Sequence, residues 1–139
     1  MDKLQRTISR VVEYSGIGLF TGEEVKLRFK PSPANTGIVF VRTDIEGHPK
    51  VPANIEMLYG ARRLVTLEKD GVEIKSVEHV MAALSGLGVD NIEIEVNSNE
   101  MPAGDGSSLL FLQLLKGTGI ETLAEPKKNI LFARGNKSK

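Results

Sequence analysis

Two short stretches of this chain, residues 77–87 and 107–116, are apolar around nearly their whole circumference when drawn as helices. In the second stretch only Gln113 interrupts a run of large side chains: Leu109, Leu110, Phe111, Leu112, Leu114 and Leu115. A helix that is apolar on every side is buried on every side, and one sheet can cover only one side of it. Either loops and the partner helix cover the outer faces, or both helices pack against a second domain or subunit. We favour the second reading, because a large uncovered apolar patch is a liability.

Short strands separated by turn residues account for the rest of the chain. Residues 25–30 alternate between apolar and basic side chains, as expected of a strand with one buried face. We predict further strands at residues 3–13, 37–42 and 91–96, and a last short strand at residues 129–133. We also predict a hairpin of residues 64–68 and 72–74 around an Asp70-Gly71 turn. Residues 43–62 are predicted to be irregular, and Pro49 and Pro52 exclude a helix there. The predicted fold class is α+β, a single two-layer sandwich domain with a mostly antiparallel sheet and two helices on one face.

Composition excludes several classes of function. The chain has 18 Lys and Arg residues against 18 Asp and Glu residues, a balance that provides no attraction for nucleic acid or an anionic membrane. Cysteine is absent, which excludes disulfides and thiolate metal sites. No apolar run approaches the roughly 20 residues of a membrane span. We therefore expect a cytoplasmic protein. We also expect one domain at residues 1–125, followed by a basic, partly disordered tail at residues 126–139.

Glu78 and His79 are the strongest candidates for catalytic chemistry. They fall in the first turn of the predicted helix, which Ser76 is expected to cap and Gly86 and Gly88 to end. At a helix N-terminus the macrodipole stabilises a carboxylate and disfavours an imidazolium, each by about 0.3–1 kcal/mol when exposed. These conditions suit a carboxylate that accepts protons and a neutral imidazole that binds a metal. By itself the pair is a weak signal, and it is more simply an acidic first-turn residue beside a polar histidine.

The remaining candidates for a metal site are few. A catalytic zinc usually has three protein ligands and a water molecule. The only other histidine, His48, lies in a predicted loop between Gly47 and Pro49 and is expected to be exposed. No H-x-x-x-H, H-x-x-x-D or H-E-x-x-H pattern occurs in the sequence. Asp105, before Gly106, is most simply a helix cap or turn residue.

Five segments, in order and spacing, resemble the first domain of one enzyme family. They are QRT (5–7), GIGLFTGEEV (16–25), PSPANTGIVFVRTD (31–44), SVEHVMAALSGLGVDNIEIEV (76–96) and EMPAGDGSSLLFLQLL (100–115). The family is that of the zinc-dependent UDP-3-O-acyl-N-acetylglucosamine deacetylases, the LpxC family of lipid A synthesis. The resemblance covers about residues 3–125.

This resemblance implies a fold, a cofactor and a reaction. The family enzyme has two domains of similar fold whose helical layers face each other. Its zinc would be bound by the histidine that matches His79, together with a histidine and an aspartate from the second domain. The glutamate that matches Glu78 would be the general base for attack of water on an acetamide carbonyl. The resemblance also places Phe20, Thr21 and Asp105 in the vicinity of the substrate.

The sequence departs from the family pattern in three respects. The segment that would correspond to the second domain, with two of the three zinc ligands, is not in this sequence. The family's G-L-H-S-G turn reads GLFTG here, with Phe20 in place of a polar histidine. The P-I-M-D-G-S motif reads PAGDGS, which retains Asp105. We therefore expect zinc binding through His79 to be incomplete, and the isolated chain not to be catalytic by itself.

Three hypotheses follow from these observations. In the first, the chain is a binding, regulatory or scaffold protein that uses its helix face for a partner and possesses no activity alone. In the second, two copies form a homodimeric zinc-dependent deacetylase with a Glu78/His79 pair from each subunit. In the third, the chain is a fragment, or half of a split enzyme whose separately encoded second half completes the site. A nucleotide-sugar is the expected small-molecule ligand.

Overall fold

A computed structural model describes residues 3–53, 65–103 and 108–127 of the chain. Its strands and helices, in chain order, are β1 (Leu4–Ile8), β2 (Val12–Ile17), β3 (Glu24–Pro31), β4 (Ile38–Arg42), β5 (Lys50–Ala53), β6 (Thr66–Lys69), β7 (Val72–Lys75), α1 (Glu78–Leu87), β8 (Ile92–Val96), α2 (Leu109–Lys116) and β9 (Ile120–Pro126). These elements confirm the predicted α+β class.

The strands form one large sheet and two small ones. The large sheet has the order β2-β3-β8-β4-β5, while β1 pairs with β9 and β6 pairs with β7. Only the β4–β8 pair is parallel among the pairs of named strands that the structure describes, so the sheets are mostly antiparallel, as predicted.

Alternation along β3 and β8 separates an apolar face from a charged face. Val25, Leu27 and Phe29 are buried on one side of β3. On the other side Lys30 Nζ lies 3.3 Å from Glu95 and 3.5 Å from Glu93, both on β8. The hydrogen bond to Glu95 and the charge of Glu93 raise the pKa of Lys30. Opposite charges on neighbouring strands make this face suited to water.

Both helices pack on the apolar face of the large sheet. Phe111 of α2 contacts Tyr14 of β2 and Phe29 of β3 edge to face, with ring centroids 6.0 and 6.4 Å apart. The buried side chains of α1 are Val80, Met81, Ala83 and Leu84. These four side chains belong to the same buried core as Phe29 and Phe111. Tyr14 is half-buried and packs against that core. The core therefore lies between the sheet and the helix pair.

The outward faces of the helices are less apolar than the helical wheel suggested. On α1 the exposed residues are Ala82, Ser85 and Gly86, which are small. On α2, Leu109 is 51% exposed. The chain itself covers most of the large helical side chains, and coverage of the rest by a second domain or subunit stays a prediction.

Several sequence-based predictions of local structure need correction. The strand predicted at residues 3–13 is two strands, because the chain bends at residues 9–10 and β1 leaves to pair with β9. Part of the segment predicted to be irregular forms β5, an edge strand in which Pro52 is tolerated since it need not donate to a neighbour there. The strand suggested at residues 129–133 lies outside the described residues.

The last described strand is β9, which the sequence did not indicate. This strand extends to Pro126, which pairs with Leu4 of β1. The next residue, Lys127, donates from Nζ to Gly88 O at 3.2 Å and forms an ion pair with Asp90. Residues 128–139 of the predicted tail lie outside the described part of the chain. None of the described helices is long and apolar enough to cross a membrane.

Candidate active site

Glu78 and His79 occupy the first two positions of α1, as the sequence predicted. Glu78 Oε1 accepts a hydrogen bond from Val65 N at 3.0 Å, and Glu78 Oε2 lies 3.9 Å from His79 Nε2. The Glu78 side chain is 18% exposed and that of His79 is 37% exposed. The two side chains therefore reach one location, with the imidazole open to solvent and the carboxylate mostly enclosed.

The β6–β7 hairpin determines where this helix begins. Asp70 and Gly71 form its turn with φ of 52° and 83°, as a two-residue hairpin turn of this kind requires. The hairpin returns the chain so that Val77 N donates to Val65 O at 3.1 Å. Together with the bond to Glu78, this contact joins Val65, the residue before β6, to the start of α1.

Ser76 does not cap α1, contrary to the prediction. The N-cap position belongs to Val77, and Ser76 has a φ of 65°, in the left-handed region. Its Oγ is buried without a hydrogen-bond partner among the described residues. The hairpin leads into the helix through this left-handed residue, and the hydroxyl cannot then reach the first helical N–H groups.

Phe20 and Thr21 lie in the turn between β2 and β3, residues 18–22, called here the 18–22 turn. Phe20 N donates to Glu100 Oε1 at 2.9 Å and Thr21 N donates to Glu100 Oε2 at 2.7 Å. Lys75 Nζ lies 5.4 Å from the centroid of the Phe20 ring. Lys75 is the last residue of β7, three residues before Glu78, so the turn is near the segment that leads to the pair.

Glu100 is fully buried, and sequence reasoning did not identify it as a functional residue. Burial raises the pKa of its carboxyl, but the N–H groups of Phe20 and Thr21, the Thr21 hydroxyl and the charge of Lys75 together lower it below its usual value. A carboxylate that receives several N–H bonds stays ionised in this way. Its one signal in the sequence was its place in the segment 100–115 that resembles the deacetylases.

The other predicted residues contribute less to the description of the site. His48 is exposed, as expected, in a turn with a φ of 45°. Asp105 lies outside the described residues, so its predicted position near the substrate stays a prediction. Among the residues that the structure describes, no three His, Asp or Glu side chains come together as a possible metal site.

The donor set at the start of α1 fits one side of a zinc site. Imidazole nitrogen is a preferred zinc ligand, and a carboxylate next to it can accept a proton from water or a hydrogen bond from a ligand. The partly exposed His79 ring is accessible to a metal ion. Fold and site define the class of protein: an α+β domain that presents a candidate metal ligand and a candidate base together at one helix N-terminus.

Sequence comparison assigns this domain to a family. The family model described as LpxC, UDP-3-O-acyl N-acetylglycosamine deacetylase, matches residues 5–137. That match covers nearly the whole chain, and the chain belongs to this family, which confirms the resemblance drawn from the segments above.

Curated relatives carry the same description. The UDP-3-O-acyl-N-acetylglucosamine deacetylase of Pseudoalteromonas atlantica is 47% identical over 137 residues, which cover 97% of this chain and 45% of the relative. The proteins of the same name from Chromohalobacter salexigens and Shewanella violacea are 42% and 45% identical, over 43% and 41% of their own lengths. The chain thus spans less than half the length of these relatives.

Proposed function

We propose that this chain supplies the Glu78/His79 half of a zinc-dependent deacetylase site that acts on UDP-3-O-acyl-N-acetylglucosamine. A complementary second-domain-like partner, or a second copy of the chain, supplies the remaining zinc ligands. The observation that carries the proposal is the Glu78/His79 pair at the first turn of α1, in a chain that belongs to the deacetylase family. A cytoplasmic location and a nucleotide-sugar ligand are part of the same proposal.

His79 would hold the metal through its solvent-accessible imidazole. Zinc, when bound, lowers the pKa of a water molecule and polarises a carbonyl group, the two effects that amide hydrolysis needs. Because the pair would provide one zinc ligand, His79, two further ligands have to come from another domain or chain to reach the usual three.

Glu78 would act as the general base. Its two oxygens differ, because Oε1 accepts the Val65 N–H while Oε2 points toward His79. Oε2 would accept a proton from the attacking water, and Oε1 would stay in its hydrogen bond and keep the carboxylate in place. Hydrolysis of the acetamide by one water releases acetate and leaves a free amine on the sugar.

Elemental analysis after dialysis tests the proposal. The chain is measured alone and after mixing with the separately expressed second half of the Pseudoalteromonas atlantica relative. We expect about one zinc per assembled pair, lost in His79→Ala and kept in His48→Ala, which alters the exposed second histidine. Acetate release from UDP-3-O-acyl-N-acetylglucosamine should follow the zinc content.

Two other outcomes separate the alternatives. About half a zinc per chain in a dimer of the chain alone would identify a second copy as the complement. An absence of zinc, association and turnover under all these conditions would overturn the deacetylase proposal. A binding or scaffold role would then replace it, a role that the apolar Phe20 in place of a histidine also favours.

A further inference from the structure

The buried carboxylate of Glu100 forms hydrogen bonds with the 18–22 turn, whose own side chains are largely exposed. Glu100 has no solvent exposure, whereas Leu19 and Phe20 are 61% and 56% exposed. Each carboxylate oxygen accepts one of two successive N–H groups, those of Phe20 and Thr21. A turn that buries so little of its own apolar surface gains little from packing, so hydrogen bonds to the rest of the chain contribute more to its attachment.

The 18–22 turn also closes tightly around that carboxylate. Gly18 N donates to Glu23 O at 2.9 Å, and Gly22 N donates to Gly18 O at 3.0 Å. A Cβ at Gly18 would lie 2.4 Å from Glu100 Oε2 and 2.7 Å from Thr21 Oγ1, so only glycine allows the approach. Thr21 Oγ1 in turn accepts Glu23 N at 3.1 Å.

The backbone around Glu100 is connected to the segment that leads into α1. Glu100 forms a parallel bridge with Lys75, in which Lys75 N donates to Asn99 O at 2.8 Å and Met101 N donates to Lys75 O at 2.9 Å. The Lys75 ammonium lies over the Phe20 ring. The turn, Glu100 and the end of β7 therefore form one unit, which ends three residues before Glu78.

We propose that Glu100 is a positioning residue that holds the 18–22 turn in register with the start of α1, so that Phe20 and Thr21 form one wall of the substrate site. This inference rests on the proposed function, since it needs a substrate next to Glu78 and His79. Glu100 touches the turn and not the reacting atoms. Its contribution is to substrate binding.

Glu100→Gln is the informative variant. Glutamine has the same size, but its NH₂ group faces one of the two N–H donors and cannot accept from it. Glu95→Gln is the control, because it removes a carboxylate from the charged outer face of β8, where Lys30 is its partner. Amide hydrogen exchange, followed by NMR in the chain alone, measures how strongly the N–H groups of the turn are protected.

In Glu100→Gln we expect the amides of Phe20 and Thr21 to exchange at least about tenfold faster, as the loss of one such hydrogen bond implies. The amides of Phe29 and Ile94 in the large sheet should keep their rates, and Glu95→Gln should leave the turn unchanged. Unaltered exchange at Phe20 and Thr21 would overturn the proposal.

If Glu100→Gln does not fold, a pH titration of the wild-type chain by NMR tests whether Glu100 binds the turn. On acidification, the amide proton shifts of Phe20 and Thr21 should move together with the carboxyl carbon of Glu100, whose charged neighbour is Lys75. Amide shifts that do not follow the carboxyl carbon would contradict the assignment.

The kinetic measurement uses the completed assembly. We expect Glu100→Gln to raise KM for the nucleotide-sugar about tenfold with kcat changed much less, because a misplaced wall weakens substrate and transition state alike. A mobile turn with an unchanged KM would refute the role in substrate binding and leave the deacetylase proposal intact. An inactive wild-type assembly would refute the deacetylase proposal. The role of Glu100 would then be decided by NOEs between the Phe20 ring and Lys75. Loss of these NOEs in Glu100→Gln would support the positioning role, and their retention would refute it.

Discussion

Glu78 has a structural and a chemical role that two substitutions can separate. Its Oε1 receives the Val65 N–H at 3.0 Å, and its carboxylate lies at the positive end of α1. Glu78→Ala removes both features. Glu78→Gln keeps an acceptor for Val65 and the shape of the side chain but removes the charge and the proton acceptor.

The structure allows an estimate of the stability change. A hydrogen bond to a charged group contributes about 1.5–3 kcal/mol. Val65 is half-buried, so water can partly replace the carboxylate and the lower end of that range applies. Loss of the interaction with the helix dipole adds about 0.3–1 kcal/mol. We expect Glu78→Ala to lower the free energy of unfolding by about 2 kcal/mol, and Glu78→Gln by less than about 1 kcal/mol.

Urea unfolding followed by far-ultraviolet circular dichroism measures both values. Glu93→Ala is the control, since it removes only a partly exposed partner of Lys30 and should change the unfolding free energy by about 0–1 kcal/mol. In the completed assembly, Glu78→Gln should lower kcat by about 10²–10⁴-fold, the usual contribution of a general base. A Glu78→Ala variant as stable as the wild type would refute the structural role, and a fully active Glu78→Gln variant would refute the chemical one.

Two further predictions concern stability. Gly88→Ala should destabilise the chain by about 1–2 kcal/mol in urea unfolding, since residue 88 ends α1 with a φ of 71°. Gly86→Ala, inside the same helix and with ordinary contact distance to its neighbour, should instead stabilise it by about 0.5–1 kcal/mol; equal effects of the two would contradict the assigned helix end. The hydrogen bond with Arg42 lowers the pKa of Asp44. The stability that this pair contributes is therefore complete above pH 3.8, the ordinary pKa of the carboxyl, and is lost as the pH falls through the lower pKa of the folded state. Across that pH range, the free energy of unfolding of Asp44→Asn should depend less on pH than that of the wild type.

Local patterns accounted for most of the individual elements. The alternation of residues 25–30 predicted β3, and Asp70-Gly71 predicted the hairpin turn that the structure confirms. The apolar period of residues 77–87 predicted α1, and Gly88 ends it in the left-handed conformation as expected. Each of these features depends on side-chain period or on the φ preference of single residues, which neighbours in the sequence determine.

Long-range pairing decided the features that the sequence did not reveal. Residues 120–126 show no clear alternation, and β9 forms because β1 offers it an edge more than a hundred residues away. Gln5 supports this arrangement, since its buried amide donates to Pro126 O at 2.9 Å and accepts from Asn91 Nδ2 at 3.0 Å. No local pattern identifies such partners.

The candidate site divides along the same line. Glu78 and His79 could be selected from the sequence because they are adjacent and begin an apolar helix. The anchoring of Glu78 by Val65, the left-handed Ser76 and the attachment of the 18–22 turn to Glu100 became visible only in the folded chain. Chemical identity and helical period are properties of short segments, whereas the hydrogen bonds that orient functional groups join segments that only folding brings together.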